Sequence, residues 1–312
     1  MRNLHPYSTK KIMKDSIENI LNALGKGDKK ALARCISMVE NESADSDELL
    51  LQLKTNKTIP IVGITGPPGA GKSTLISSLV SHLLLLNKKI GILAVDPTSP
   101  FNLGSLLGDR LRMSNHFNHE NVFIRSIATR GSLGGLSAKI IEILDVMKAA
   151  DFDYIIIETV GVGQSEIEIA GIADTTVVVL VPESGDEIQT IKSGIMEIAE
   201  IFVVNKSDRA GADIFVKNLE QLVHSHHDKT WMIPVIKTIA SDNKGIEELV
   251  KNIERHQGIA INTKRAFLLA EKAYYLIQNK RMKDVSKHDL LQQIEAAVKL
   301  PDFNIYGFVK NY

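Results

Sequence analysis

Residues 59–74 read Ile59-Pro60-Ile61-Val62-Gly63-Ile64-Thr65-Gly66-Pro67-Pro68-Gly69-Ala70-Gly71-Lys72-Ser73-Thr74, and this stretch decides the fold. The apolar run Ile59 to Ile64 reads as a buried parallel strand. It leads at once into G-x-x-x-x-G-K-[ST], and Leu75, Ile76, Leu79 and Val80 then continue as an amphipathic helix. A strand, a glycine-rich turn and a helix in that order form a phosphate cradle. The turn from Gly66 through Pro67, Pro68, Gly69 and Ala70 to Gly71 can curl until its N–H groups converge on phosphate oxygens. The helix N-terminus behind it adds partial positive charge. In that frame Lys72 reaches the β- and γ-phosphates, the Ser73 hydroxyl holds Mg²⁺, and Thr74 closes the motif. The stretch implies a nucleotide-binding chain.

Working outward, the pattern from 58 to about 257 alternates strand and helix. Strand-like runs are Ile59–Ile64, Ile90–Val95, Val122–Ile127, Tyr154–Glu158, Thr175–Val181, Ile201–Asn205 and Met232–Ile236. Helical patterns lie between most of them; Leu136, Ile140, Leu144 and Met147 share one face. Such alternation predicts an α/β protein with a mainly parallel sheet flanked by helices. Ligand groups should gather at the carboxyl ends of the strands. Before this region, residues 8 to about 54 read as helices, with Asp28 capping one that runs through Val39 and Ser46-Asp47 starting another. After about residue 262 the strands stop. Ala266–Lys283 and Ser286–Lys299 read as two helices whose apolar faces, Leu268, Leu269, Ala273 and Leu276, then Leu290, Leu291, Ile294 and Val298, need a partner. The expected organisation is a helical extension over 1–56, a nucleotide-binding domain over 57–260 and a helical arm over 261–312. Those faces can be buried on the core or on a second subunit, and we expect the arm to pair with a second subunit.

The strand ends carry the rest of the chemistry. Asn205-Lys206-Ser207-Asp208 closes a strand with the pattern N-K-x-D. An aspartate there can accept hydrogen bonds from the ring N–H and exocyclic amine of guanine, donors that adenine does not offer in that geometry. A site built on such bonds rejects analogues that lack them. Asn205 would orient the loop and contact the base, with the Lys206 stem along the purine. Glu158 ends the apolar strand Ile155-Ile156-Ile157, and a carboxylate there is costly unless it serves an ion or donors. It is placed to hold Mg²⁺, directly or through water, while the Gly161 N–H can sense a γ-phosphate. Asp96 and Asp109 are further candidates for the magnesium sphere, which keeps several waters and few protein ligands. Gln164, in the polar glycine-rich segment after Gly161, is a candidate for orienting water.

Bulk properties narrow the classes. The chain has 312 residues, with Lys+Arg and Asp+Glu both 37, so no global field draws it to nucleic acid or anionic membranes. Cys35 is the single cysteine, which excludes an internal disulfide and a thiolate zinc cluster. No apolar run approaches the ~20 residues that span a bilayer, and Met1 to Pro6 lacks an apolar signal core. A cytoplasmic location is the expectation. The run His224-Ser225-His226-His227-Asp228 offers imidazoles at short spacing. It reads rather as the polar end of a helix begun near Ala212, since no cysteine or second histidine cluster supports a metal site.

Together these segments resemble the MeaB/ArgK-type GTPases, bacterial relatives of the human methylmalonic aciduria type A protein, in the metallochaperone-like branch of P-loop GTPases. The resemblance extends to Val95-Asp96-Pro97, Gly108-Asp109-Arg110, Thr129 to Leu136, Glu158 to Glu166, and Val181 to Gln189. It implies a homodimeric GTPase that binds GTP/GDP with Mg²⁺ and docks on an adenosylcobalamin-dependent acyl-CoA mutase, gating cofactor loading and protecting the mutase. It places Lys72, Ser73, Asp96, Asp109 and Glu158 around phosphate and magnesium. Asp186 and Lys192 fall in a further switch, where Lys192 stabilises charge on the transferring phosphoryl group. Glu183-Ser184 departs from the small residues common there in relatives. No Asp-x-His-x-x-Gly cobalamin motif occurs, so contact with that cofactor requires the partner. Two other readings stay open on sequence: nickel insertion, resting on His224 to His227, and an ATP-dependent kinase or transport ATPase, which Asn205 and Asp208 oppose.

Overall fold

A computed structural model describes residues 17–54, 59–96, 113–128, 139–159, 169–183, 195–224, 231–260, 265–300, 302–310 and 312. The chain divides into two compact units, Met1–Asn262 and Thr263–Tyr312. The first unit opens with helix α1 (17–25), α2 (Lys29–Glu40) and α3 (Ser46–Gln52). Asp28 caps α2, its carboxylate accepting from the N–H groups of Lys30 at 2.7 Å and Ala31 at 2.9 Å. The sheet follows: β1 (Ile61–Thr65), α4 (Lys72–Leu85), β2 (Ile90–Asp96), β3 (Val122–Ala128), α5 (Ile140–Lys148) and β4 (Tyr154–Thr159). It is completed by β5 (Thr175–Leu180), α6 (Ile195–Ile198), β6 (Ile201–Val204), α7 (Ala212–His224), β7 (Val235–Lys237) and α8 (Ile246–Ala260).

These described strands form one seven-stranded sheet in the order β3-β2-β4-β1-β5-β6-β7, parallel at every pairing. All seven expected strands are present. The last begins three residues later than its apolar run, at Val235 rather than Met232. Pro234 explains the shift: it has no N–H to give a ladder and contributes only its carbonyl, to the Phe202 N–H at 2.9 Å.

Alternation along the strands sorts side chains to two faces. On one face Ile61, Ile155 and Ile157 pack with Leu32 and Ile36 of α2 and Ile143 and Met147 of α5. Farther along that face, Val178, Leu180, Phe202 and Val204 pack with Phe215 and Leu219 of α7. On the other, Val62, Ile64 and Ile156 meet Leu75, Ile76 and Leu79 of α4 and Leu249 and Ile253 of α8. The helical extension therefore shares its core with one face of the sheet. Each fully buried Leu or Ile contributes about 1.5–3 kcal/mol to holding these layers. In the middle of this sandwich β1 lies between β4 and β5, where strand order reverses direction, the place such sheets bind ligands.

The second unit contains α9 (Arg265–Arg281), α10 (Lys287–Ala297) and α11 (Ile305–Val309). Ser286 caps α10 through the Asp289 N–H at 3.2 Å, and Asn304 caps α11 through Tyr306 and Gly307. Within it Tyr274, Ile277, Leu291, Val298, Leu300 and Tyr306 are exposed.

Candidate nucleotide site

The turn after β1 takes its shape from backbone that only glycine tolerates. Gly66 has φ +139, and a Cβ there would lie 2.1 Å from the carbonyl oxygen of Val179 on β5. Gly71, the N-cap of α4, is left-handed at φ 88. The first turn of α4 begins at Lys72, so its N–H groups have no carbonyl of their own helix to bind. Lys72 is buried, its Nζ donating to the carbonyls of Gly66 at 2.7 Å and Pro67 at 3.0 Å. These bonds keep the ammonium inside the turn, so its charge and the helix N-terminus act on the same space. The arrangement can hold a multiply charged phosphate.

Ser73 and Glu158 meet beside this turn. Both are buried, and the Ser73 hydroxyl donates to Glu158 Oε1 at 2.6 Å. A serine hydroxyl and a carboxylate converging from α4 and the end of β4 supply hard oxygen donors of the kind Mg²⁺ takes, few in number and next to the phosphate cradle. The residues fit the ion. When bound, it would neutralise charge on phosphate oxygens, and Ser73 and Glu158 would hold it. Asp96 ends β2 at the same carboxyl edge.

The third part is an interlock between the phosphate turn and the end of β6. Asn205 is buried, and its Nδ2 donates to the Ala70 carbonyl at 2.9 Å. Its Oδ1 accepts from the Thr238 hydroxyl and the Ala240 N–H, each at 3.1 Å. Lys206 stands in the left-handed region at φ 55, a conformation costing a bulky side chain roughly 1–2 kcal/mol. Its Nζ donates to the Gly69 carbonyl at 2.8 Å. A Cβ on Gly71 would sit 2.5 Å from Asn205 Nδ2, so the turn and the strand end touch with no space between them. Asp208 lies two residues on, exposed, in the turn that Ser207 ties to the Thr238 carbonyl at 3.1 Å. The neighbouring Arg209 forms an ion pair with Glu183 past the end of β5.

Sequence reasoning missed Thr238 and Ala240. They follow β7 at the same edge as the other motifs, and that position, a small and a hydroxyl residue just past a strand, was the available signal. Several predicted residues lie outside the described residues: Asp109, Gly161, Gln164, Asp186, Lys192, the segment from Thr129 to Leu136, and the histidines at 226 and 227. Among the described residues no cluster of three or more His, Cys, Asp or Glu could hold a metal ion, and no helix is long and apolar enough to cross a membrane.

A parallel sheet with a phosphate turn after its central strand, a hydroxyl–carboxylate pair beside it and an N-K-x-D turn locked to it defines a P-loop nucleotide-binding protein of the GTPase type. The sequence profile of the family described as methylmalonyl-CoA mutase-associated GTPase MeaB matches residues 32–298. The chain belongs to that family. Relatives agree: a Pyrococcus abyssi protein whose name classes it with the GTPases is 43% identical over 92% of this chain and 89% of its own. GTPase ArgK of Escherichia coli is 35% identical over 73% of this chain and 72% of its own. The mitochondrial methylmalonic aciduria type A homolog of Mus musculus is 35% identical over 77% of this chain and 63% of the mouse protein. Among solved structures, that of a LAO/AO transport system kinase covers 95% of this chain and 96% of its own, with TM-score 0.68 and 23% identity. At that identity the likeness carries the fold and nothing about activity.

Proposed function

We propose that this chain binds GTP·Mg²⁺, hydrolyses it slowly alone, and serves as a chaperone of an adenosylcobalamin-dependent acyl-CoA mutase of the methylmalonyl-CoA type. The observation that carries the reading is the interlock of Asn205 and Lys206 with the carbonyls of Ala70 and Gly69. It joins the guanine-reading turn to the phosphate turn as one rigid body, so a single nucleotide spans both. Lys72 and the first turn of α4 bind the phosphates, Ser73 and Glu158 hold the cation, and Asp208 selects guanine. The family's name supports the mutase partner, and a cytoplasmic location is part of the same proposal. Gly161, Gln164, Asp96, Asp109, Asp186 and Lys192 keep their assigned parts: sensing the γ-phosphate, orienting water, completing the cation sphere and answering the partner. The exposed Tyr274, Ile277, Leu291 and Val298 in Thr263–Tyr312 support a homodimer built on that arm.

Two measurements test this. In competition binding GTP should displace ATP by at least about a hundredfold, and Asp208→Asn should erase most of that preference, since one of the two acceptor oxygens becomes a donor that opposes a guanine N–H and the remaining bond loses its charged acceptor. Co-purification with a methylmalonyl-CoA mutase, and GTP turnover raised by it, should follow, with Lys192→Ala sparing GTP binding while reducing the stimulation. ATP binding as well as GTP, or a mutase that neither binds nor stimulates, would defeat the proposal.

A further inference from the structure

Glu158 and Thr159 are consecutive residues at the end of β4, so their side chains leave the sheet on opposite faces. Glu158 turns to α4 and Ser73. Thr159 turns to the other face, with Ile155 and Ile157, and its hydroxyl donates to Thr65 Oγ1 at 2.9 Å. Both threonines are fully buried. Thr65 is the last residue of β1, directly before Gly66 and the phosphate turn.

The backbone ladders show why this bond matters. Between β1 and β4 the register ends at Ile64–Glu158. On the outer sides pairing goes one residue further: Thr65 pairs with Val178 of β5, and Thr159 with Val95 of β2. At the level where the phosphate turn departs, β1 and β4 are each secured to the strand on the far side. The hydroxyl pair adds the next rung between them. Immediately above it, two chain segments must keep a fixed separation. One runs from Thr65 through the phosphate turn to Ser73, and the other is the end of β4 with Glu158. Ser73 Oγ and Glu158 Oε1 close that gap at 2.6 Å. Threonine suits a brace, because its branched Cβ restricts χ1 and fixes the direction of the hydroxyl.

We propose that Thr65 and Thr159 are a positioning pair: their hydroxyl bond sets the spacing of the β1 and β4 ends, and through it the alignment of Ser73 with Glu158 around the nucleotide-bound divalent cation. This inference rests on the GTP·Mg²⁺ reading above. A pair that merely satisfied its own buried hydroxyls would matter to stability alone.

The test separates the two. Binding of a fluorescent GDP analogue is measured in excess Mg²⁺ and in EDTA for the full chain, for Thr159→Val, Thr65→Val and the double variant, and for Thr159→Ser. The expected result is that each valine variant loses about five- to tenfold of the affinity gained from Mg²⁺, the worth of one neutral hydrogen bond. Affinity in EDTA should stay within about twofold, the double variant should be no worse than either single one, and Thr159→Ser should recover most of the loss. Should Thr159→Val fail to fold, Thr65→Val removes the same bond from the other side and decides the question. Valine variants that are less stable in urea but keep the full Mg²⁺ gain would overturn the positioning role while leaving the nucleotide reading intact. A wild-type chain showing no Mg²⁺-dependent guanine-nucleotide binding would bring down that reading and the inference with it.

Discussion

Replacing Asn205 by alanine should cost the fold more than any single surface change, with no nucleotide present. The side chain is 2% exposed and makes three bonds: to the Ala70 carbonyl at 2.9 Å, and from Thr238 and Ala240 at 3.1 Å each. A neutral hydrogen bond contributes a net of about 1 kcal/mol, while a buried donor or acceptor left without its partner costs about 1–3 kcal/mol. Three groups lose a partner together, so the range runs from about 3 to about 9 kcal/mol. The vacated space is polar and can admit a water that restores part of the bonding. We therefore expect about 3 kcal/mol, read as a lower urea midpoint with an unchanged slope. Asn205→Asp sharpens the test. It keeps an oxygen for Thr238 and Ala240 but sets a second acceptor, now charged, against the Ala70 carbonyl, so it too should destabilise despite equal size. A loss under about 1 kcal/mol for the alanine variant, or an aspartate variant as stable as the parent, would refute the interlock as a structural element.

Gly66→Ala should abolish soluble folded protein or nucleotide binding altogether, since its Cβ would lie 2.1 Å from a backbone carbonyl that cannot retreat without breaking β5; a native-like circular dichroism spectrum with intact binding would contradict this. Glu158→Gln keeps the shape and the bond from Ser73 but removes the charge beside the cation, so half-saturation by Mg²⁺ should rise by about 10–100-fold in nucleotide-binding titrations. An unchanged Mg²⁺ requirement would remove Glu158 from that sphere. Burial pushes the Cys35 thiol up to about 11. The fold then holds a proton that the unfolded chain releases near its ordinary value, so stability from this group is complete below about pH 9 and drains away up to about pH 11. Urea midpoints over that window should fall less steeply for Cys35→Ala. Some slope should persist from Tyr154, whose hydroxyl is also pushed up by burial and its bond to Glu254. Identical slopes would show that the thiol contributes nothing.

Much of this architecture was legible because the strands are short, apolar and separated by amphipathic helices, so periodicity alone located each of them. Asp28 marked a helix start by chemistry that acts within three residues, and α3 begins at the expected Ser46 although its N-cap residue, Asp45, makes no side-chain cap bond. What periodicity could not locate were relations across the sheet. Pro234 delayed β7 because a missing N–H matters only where a neighbouring strand, here β6, asks for one. The short helix Ile305–Val309 has too few turns to show a period. The site divides in the same way. The turn at 66–74 and the N-K-x-D run are contiguous, and each can be read by itself. Their attachment to one another depends on residues 135 and 137 positions apart.

That division has a physical consequence for which residues decide the site's behaviour. Groups recognisable from local pattern, Lys72, Ser73 and Asp208, are the ones we propose to contact the ligand. Groups recognisable only in three dimensions, Thr65, Thr159, Thr238 and Ala240, face the protein and set where the first group stands. Ligand-facing residues answer to the chemistry of the ligand, so their types recur wherever that chemistry does. The supporting residues answer to distances within this sheet. A hydroxyl pair with 2.9 Å between oxygens can be lost to valine without any change in charge or volume that a pattern would register. Substitutions at Thr65 and Thr159 should therefore reduce the affinity gained from Mg²⁺ while leaving guanine preference intact, whereas substitution of Asp208 should weaken guanine preference while leaving the Mg²⁺ gain intact. The same assay run on both groups would show the separation directly, and a Thr159→Val chain that lost its preference for guanine would break it.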